Sequence, residues 1–318
     1  MSLPARFIFL GTGTSGGVPL IACRCATCTS ADPRDTRSRT AAAIEWIDPR
    51  GTPRCVLIDA GPDLHAQALR HDLWRCDAIL FTHNHVDHIF GLDEVRRFNA
   101  VMQAPIDLYA EGYVLDSLRR VYKHIFDKDA NVNDSFVATL IAHEVPPPPD
   151  RGAAQAIELF GMRFMPIRLY HGRLPVLGWR IEKGPELRDQ TPASDPFPLA
   201  YCTDVSSIPP ETWPLLEGLH TLVLDALRIR KHPTHFALDQ SIDAALRIGA
   251  GQTWFVHMSH EITHAAIDPE LPEGLSLAHD GLTLGSLGES GERSLAEAKA
   301  RMSAAMQRLD PGAIRAQA

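Results

Sequence analysis

The residues best suited to chemistry form the motif His-x-His-x-Asp-His, made of His83, His85, Asp87 and His88. They closely follow the apolar run 78–81, which is typical of a buried strand. A strand that ends in a tight turn splays alternate side chains toward one point. His83 and His85 can therefore bind one metal ion while Asp87 and His88 turn toward a second. We interpret the motif as half of a binuclear metal site rather than as a polar loop that faces solvent.

Three further candidate ligands each follow a later apolar run with the character of a strand. They are His171, Asp204 and His257. In this arrangement His171 would complete the first metal site and His257 the second, while the Asp204 carboxylate would bridge the two ions. The sequence thus predicts seven ligands for a pair of cations, which we expect to be Zn²⁺ or Mn²⁺.

A second cluster of metal-binding residue types lies in the segment CRCATC, which holds Cys23, Cys25 and Cys28. Three thiolates at this spacing can hold one tetrahedral Zn²⁺ if a fourth ligand comes from elsewhere, and redox chemistry or inert thiols are the alternatives. The remaining cysteines lie in or beside apolar runs and are expected in the core. They are Cys55, Cys76 and Cys202.

The elements that must position these residues alternate between strands and helices. Segments 41–47 and 55–59 are predicted to pair as a hairpin through the turn 48–51. Asp59 ends the second of these strands. Its carboxylate can accept a hydrogen bond from a ligating histidine, or it can cap the helix expected to start near Pro62.

A glycine-rich loop at 11–17 follows the predicted strand 7–10. The loop lacks the Gly-Lys-Ser/Thr ending of a phosphate-binding loop, and the segment after it is rich in cysteine rather than helical. We therefore expect it to form a rim beside the metal site.

Composition limits the class of protein. The chain has 318 residues, 45% hydrophobic content and a net charge of -8. These values fit a globular α/β protein and disfavour nucleic acid as a partner, although two bound cations would invert the charge locally and admit a small anion. The sequence shows neither a signal peptide nor a membrane span, so we expect a cytoplasmic protein with no membrane partner.

The ligand types and their order along the chain resemble those of the metallo-β-lactamase superfamily. This resemblance implies an αββα sandwich of two mixed sheets flanked by helices, which we expect to occupy residues 1–285. Residues 286–318 would form a C-terminal extension. Its amphipathic helix is predicted to open with a capping box from Ser294 to Glu297, and its apolar face would pack on its own domain or on a second subunit in a homodimer.

Within the superfamily, the cysteine cluster and the segment FVHMSH at 255–260 are similar to the cyclic-phosphate phosphodiesterases of phosphonate catabolism. This similarity implies that His260 is the fourth ligand of a structural zinc. It also implies a functional histidine at His235, which we expect to give a proton to the leaving group, although a surface or helix-start position is the plain alternative.

The predicted function is hydrolysis of a small phosphodiester, linear or cyclic, by a hydroxide bridging two cations, with Asp87 and His235 as catalytic residues. One alternative is a transfer-RNA 3′-processing endonuclease. The insertion 182–198 speaks against it, because four acidic and two basic residues are unsuited to RNA. Two others are a relative of the pyrroloquinoline quinone biosynthesis proteins and a non-catalytic metal-binding scaffold.

Overall fold

The computed structural model describes residues 4–149, 152–184 and 195–308. Within these ranges, two seven-stranded sheets pack face to face and helices cover their outer faces. The expected αββα sandwich is confirmed. No helix in the described ranges combines the length and the apolar character needed to cross a membrane.

The first sheet is mixed. Its strands from β14 to β3 pair antiparallel and those from β3 to β6 pair parallel. In spatial order the strands are β14 (Thr283–Ser286), β1 (Ala5–Gly11), β2 (Ala41–Ile47), β3 (Pro53–Ile58), β4 (Ala78–Leu80), β5 (Ile106–Ala110) and β6 (Leu140–Glu144).

The second sheet has the same mixed character, with parallel pairs from β13 to β10 and antiparallel pairs from β10 to β7. In spatial order the strands are β13 (Leu275–Leu277), β12 (Gln252–Val256), β11 (Thr221–Asp225), β10 (Leu199–Cys202), β9 (Leu174–Lys183), β8 (Met162–His171) and β7 (Ile157–Leu159).

The helices are α1 (Leu64–Arg70), α2 (Val86–Ile89), α3 (Arg96–Met102), α4 (Gly112–Val121), α5 (Lys123–Phe126), α6 (Leu238–Ile248), α7 (His264–Ile267) and α8 (Gly288–Arg308). Helices α1, α3 and α4 pack on the outer face of the first sheet, and α6 packs on the outer face of the second. Helix α8 packs against β2 and β3 of its own chain, where it buries Leu295.

Three apolar layers follow from the two-residue period of the strands. Strand β1 illustrates this, because Phe7 and Phe9 face the layer between the sheets whereas Ile8 and Leu10 face the layer under the helices. A strand buried on both faces has a continuous apolar sequence, as the stretch 7–10 of β1 does.

Several sequence expectations need correction. The helix expected at 91–102 begins as a 3-10 turn, Leu92–Val95, and the helix expected at 113–126 is interrupted at Tyr122. Helix α8 begins at Gly288, well before the predicted capping box. The Ser294 hydroxyl lies inside the helix and donates to the carbonyl of Ser290. The hairpin of β2 and β3 is confirmed.

Two strands, β6 and β9, were not predicted from the sequence. The core of the insertion, 185–194, and the end of the chain, 309–318, lie outside the described residues.

Candidate metal centre

The predicted ligands come together in two overlapping groups. Within each group, the ligand atoms all lie within 4.8 Å of one another. The first group is His83, His85, His171 and Asp204, and the second is Asp87, His88, Asp204 and His257. Asp204 belongs to both groups, as expected for a bridging carboxylate. These are the sets that sequence reasoning assigned to the two cations.

Strand ends and the short helix α2 position these side chains, and the backbone turns sharply at two of the ligands and at the neighbouring Asp59. Asp59 follows β3, Asp204 follows β10 and His257 follows β12, and their φ angles are 63°, 54° and 60°. The left-handed region is unfavourable for residues other than glycine and costs on the order of 1–3 kcal/mol per residue. Three of the eight non-glycine residues with positive φ in the described residues thus lie around one set of side chains, and backbone strain at such a place is typical of a functional site.

A hydrogen-bond network behind the centre fixes the tautomers of His83 and His88. Asp59 Oδ2 accepts from the Thr82 hydroxyl at 2.9 Å and from His88 Nδ1 at 2.7 Å. Because the Thr82 hydroxyl has only one hydrogen to donate, it must accept from His83 Nδ1, which lies 2.9 Å away. Both imidazoles therefore present the lone pair of Nε2 when neutral. The alternative role for Asp59, capping the next helix, is not observed, since Asp63 occupies the N-cap of α1.

His171 is oriented in the same way from the other sheet. Its Nδ1 lies 2.6 Å from the carbonyl oxygen of Thr234, which can only accept, so Nε2 again holds the lone pair. Burial lowers the pKa of His83, His85 and His171 below the ordinary histidine value. The three imidazoles of the first group are accordingly neutral at pH 7, the state that binds metal.

The ligand nitrogens that face the centre lack hydrogen-bond partners. His83 Nε2, His88 Nε2 and His257 Nε2 are buried and make no hydrogen bond. An unsatisfied buried polar atom costs about 1–3 kcal/mol, so three of them around shared carboxylates call for a ligand. Two divalent cations that prefer imidazole and carboxylate donors would satisfy them, one at His83 and the other at His88 and His257.

Carboxylates dominate the electrostatics of the second group. Asp204 and Asp87 lie 3.2 and 3.3 Å from His88 Nε2, and 3.4 and 3.6 Å from His257 Nε2. Burial alone would lower the pKa of His257, but Asp204 and Asp87 raise it to about 9. Burial would also lower the pKa of His88, but Asp204 and Asp59 raise it well above the ordinary histidine value. A cation at this group would replace the protons that these carboxylates attract.

His235 lies inside the same pocket and is buried, which rules out the surface alternative. Its ring stacks on His257 with centroids 4.8 Å apart and lies 4.4 Å from the ring of His171. Asp225 Oδ2 accepts from His235 Nδ1 at 2.7 Å, and Asp225 Oδ1 lies 3.8 Å from His257 Nδ1. Sequence reasoning did not identify Asp225, although it ends β11 just as the predicted ligands end or follow their strands.

The cysteine cluster forms a separate group with His260. The sulfur atoms of Cys23, Cys25 and Cys28 lie 3.2, 3.5 and 3.6 Å from His260 Nδ1. Zinc bonds of 2.3 Å to sulfur and 2.0–2.1 Å to nitrogen would separate these atoms by about 3.5 Å in a tetrahedron, so the arrangement fits one Zn²⁺. The backbone N–H of Cys28 helps to lower the pKa of Cys25 to about 6, whereas burial raises the pKa of Cys28 to about 11.

Comparison with known proteins places this geometry in context. The family model described as a β-lactamase superfamily domain matches residues 54–258. A solved structure described as a new diphosphatase from the PhnP family is 39% identical, with a TM-score of 0.75, and the match covers 90% of this chain and 98% of the other. An octanoyltransferase of Porphyromonas gingivalis is 34% identical over 87% of this chain, which spans about half (51%) of the length of that relative.

More distant structures share the fold alone. Zinc-bound PqqB from Methylobacterium extorquens is 20% identical with a TM-score of 0.65, and the match covers 88% of this chain and 99% of that protein. The short form of human tRNase Z is 18% identical with a TM-score of 0.60, and the match covers 88% of this chain and 98% of the other.

Proposed function

The chain belongs to the β-lactamase superfamily, and from that premise we propose that it is a binuclear metal-dependent phosphodiesterase acting on a small phosphodiester, linear or cyclic. Family membership and the diphosphatase relative support the broader class of metal-dependent hydrolase. The observation that carries the narrower proposal is a buried histidine, His235, held by a carboxylate beside two overlapping sets of metal ligands.

The ligands proposed for the first cation are His83, His85, His171 and Asp204, and those for the second are Asp87, His88, Asp204 and His257. When bound, two divalent cations lower the pKa of a water molecule toward 7 and stabilise negative charge on phosphoryl oxygens. The chain itself holds three of these ligands, His83, His88 and His171, in one tautomer and buries them.

We assign His235 as the general acid. Hydrolysis forms a bond between phosphorus and a water oxygen and breaks the bond to the leaving alkoxide, which must then gain a proton. Because Asp225 accepts the Nδ1 hydrogen of His235, the proton available for transfer is the one on Nε2. The stacking of His235 on His257 keeps the donor next to a ligand of the second cation.

A second candidate is hydrolysis of a diphosphate, which the description of the relative at 39% identity favours. The two reactions differ in what leaves. Phosphate is a far better leaving group than an alkoxide and depends less on a proton donor. The dependence of the rate on His235 therefore separates them.

The alternatives that act on larger substrates receive less support. An RNA nuclease needs a basic surface to bind the phosphate backbone. This chain carries a net charge of -8 and an acid-rich insertion at 182–198. The PqqB structure, at 20% identity, shares only the fold with this chain. A non-catalytic scaffold has no need of a carboxylate-held histidine beside the metal ligands.

The test is a hydrolysis screen of protein loaded with Zn²⁺ or Mn²⁺, using cyclic phosphodiesters, linear diesters, diphosphate compounds and a precursor transfer RNA. We expect the small diesters to be turned over and the RNA to be left intact. Activity confined to the diphosphates would replace the first proposal by the second, and cleavage of the RNA alone would contradict both.

We further propose that residues 1–285 form the catalytic domain and that 286–318 is an extension whose helix α8 docks on it. Arg6 and Glu292 are joined across this contact at 2.8 Å, and Lys299 pairs with Asp72 at 2.6 Å. The thiol cluster favours a reducing compartment, so a cytoplasmic location remains our prediction, as does a homodimer without membrane or nucleic acid partners.

A further inference from the structure

Arg37 is a buried charge that the proposed reaction does not use. None of its side-chain surface is exposed, and its Nη2 lies 3.1 Å from Asp35 Oδ1. Arg37 Nε and Asp35 Oδ2 have no hydrogen-bond partner. Because the desolvation of a buried ion pair often exceeds its attraction, an incompletely satisfied pair is poorly explained as a source of stability.

The guanidinium is directed at the segment that connects the two metal sites. Arg37 Nη1 donates to the backbone carbonyl of Ser259 at 3.1 Å. In the sequence Ser259 lies between His257, proposed for the second cation, and His260, proposed for the zinc of the cysteine cluster. One side chain therefore supports a segment that ends in a ligand of each site.

The backbone of the same segment is fixed by the glycine-rich loop. Met258 N–H donates to the carbonyl of Thr12 at 3.0 Å, and Thr14 N–H donates to the carbonyl of Met258 at 3.1 Å. Arg37 also shapes that loop. Arg37 exchanges two backbone hydrogen bonds with Val18, at 2.7 and 2.8 Å. A Cβ added at Gly13 would lie only 2.8 Å from the carbonyl oxygen of Arg37.

The partner carboxylate extends the connection to the cysteine side. Asp35 Oδ1 accepts from the backbone N–H of His264 at 2.8 Å. The hydroxyls of Thr27, within the cysteine turn, and Thr263 are joined at 2.7 Å. The pair of Arg37 and Asp35 thus holds residues on both sides of His260.

From these contacts we infer that Arg37 is a positioning residue that couples the cysteine site to the second cation through the segment 257–260. Zinc at the cysteine cluster would fix His260, and Arg37 would transmit that order to His257. Coupling of this kind is reciprocal, so each metal should strengthen the binding of the other by the same factor. The inference rests on the proposed metal sites but not on the identity of the substrate.

The test measures Zn²⁺ dissociation constants by competition with a chromophoric chelator in the full-length chain. The variant Arg37→Met is combined with Asp35→Asn so that no unpaired charge is left buried, and Arg37→Lys is made in parallel. The control is Arg54→Met, because Arg54 pairs with the carboxylates of Asp48 and Asp77. We expect the Arg37 variants to bind the second cation and the cysteine-site zinc about 10-fold to 100-fold more weakly, with the affinity for the first cation unchanged.

A double-variant comparison isolates the coupling. Cys28→Ser should lower the affinity for the second cation when Arg37 is present. It should lower that affinity no further in the chain with Arg37→Met and Asp35→Asn. Unchanged affinity of the second cation in the Arg37 variants, or equal weakening in Arg54→Met, would overturn the inference.

Hydrogen exchange of the metal-free protein keeps the test decisive if the double variant does not fold. With Arg37→Lys, the amides of Met258 and Ser259 should exchange faster than with Arg54→Met, because a lysine does not reproduce the fixed fork of a guanidinium. Equal exchange rates in the two proteins would also overturn the inference.

Discussion

The two metal-binding regions of this molecule are built in opposite ways. The histidine and aspartate ligands come from strand ends in both sheets and from the short helix α2, and they are buried apart from the exposed His85. The cysteine cluster takes three ligands from one turn and adds His260, and all four are half-buried. A closed set of four donors suits a structural ion, whereas seven donors shared between two ions leave coordination positions for water and substrate.

The largest difference should appear when one ligand is removed from each region. Asp87→Ala should abolish hydrolysis, because it deletes a ligand of the second cation. We expect kcat to fall by more than the roughly 100-fold that loss of an outer hydrogen-bond partner typically causes. Its thermal unfolding temperature should change little. The measurements are kcat on the best diester of the screen and unfolding followed by circular dichroism.

Cys25→Ser is the matched change in the other region, and its effects should be reversed. A structural zinc contributes directly to folding, so this variant should lose one tightly held zinc and unfold at a lower temperature. Any protein that remains folded should keep part of its activity. Finding that Asp87→Ala is the less stable of the two would contradict the division into catalytic and structural regions.

Removing the proposed acid should have the next largest effect. His235→Ala should lower kcat by about 10² to 10⁴ on a diester with an alkoxide leaving group, the usual range for a positioned general acid. A nitrophenolate leaving group needs no proton at neutral pH, so kcat on a nitrophenyl diester should fall little. The metal content, measured by plasma mass spectrometry, should not change. Equal losses on the two substrates would assign His235 to phosphate binding instead.

A smaller effect is expected from the hydrogen bonds behind the catalytic region. In Asp59→Asn one carboxylate oxygen becomes an NH₂ group, which must face either Thr82 or His88, both of them donors. We expect the second cation to bind about 10-fold to 100-fold more weakly. The control is Asp77→Asn, because Asp77 is also buried but pairs with Arg54 and Arg75. A loss of metal affinity in both variants would point to general destabilisation.

The catalytic region was more accessible to sequence reasoning than its supports. The ligands His83 to His88 are local in the chain, and a single rule about strand ends located Asp204 and His257. The contact from Arg37 to Ser259 spans 222 positions and follows no periodic pattern. Asp225 obeys the strand-end rule, but no metal-ligand motif surrounds it in the sequence.

The fold was predictable where its signals are local in the chain. The prediction failed where those signals are weak. Strands buried on both faces contain continuous apolar runs that are easily recognised, such as 7–10 in β1 and 41–44 in β2. Strand β6 is short and half-exposed, and its sequence LIAHE lacks a clear alternation. Helix α8 opens with Gly288, a poor helix former, so its start depends on packing rather than on propensity.

The last prediction concerns protons, and it separates the two cations of the catalytic region. At pH 7 the histidines of the first group are neutral, because burial lowers their pKa. His257, with a pKa raised to about 9, is protonated at that pH and must release its proton when the second cation binds. Affinity for the second cation should therefore rise between pH 7 and 9, by up to about tenfold per unit for each proton released, while affinity for the first stays constant.

The same raised pKa sets the pH dependence of the metal-free protein. The unfolded chain titrates His257 near 6.5, so its contribution to stability is complete below that pH and is lost as the pH rises through about 9. Calorimetric titrations with Zn²⁺ in buffers of different ionisation enthalpy count the protons released at each step. If the second cation binds without releasing protons, the carboxylates do not hold His257 in its charged form, and the contrast between the two groups fails.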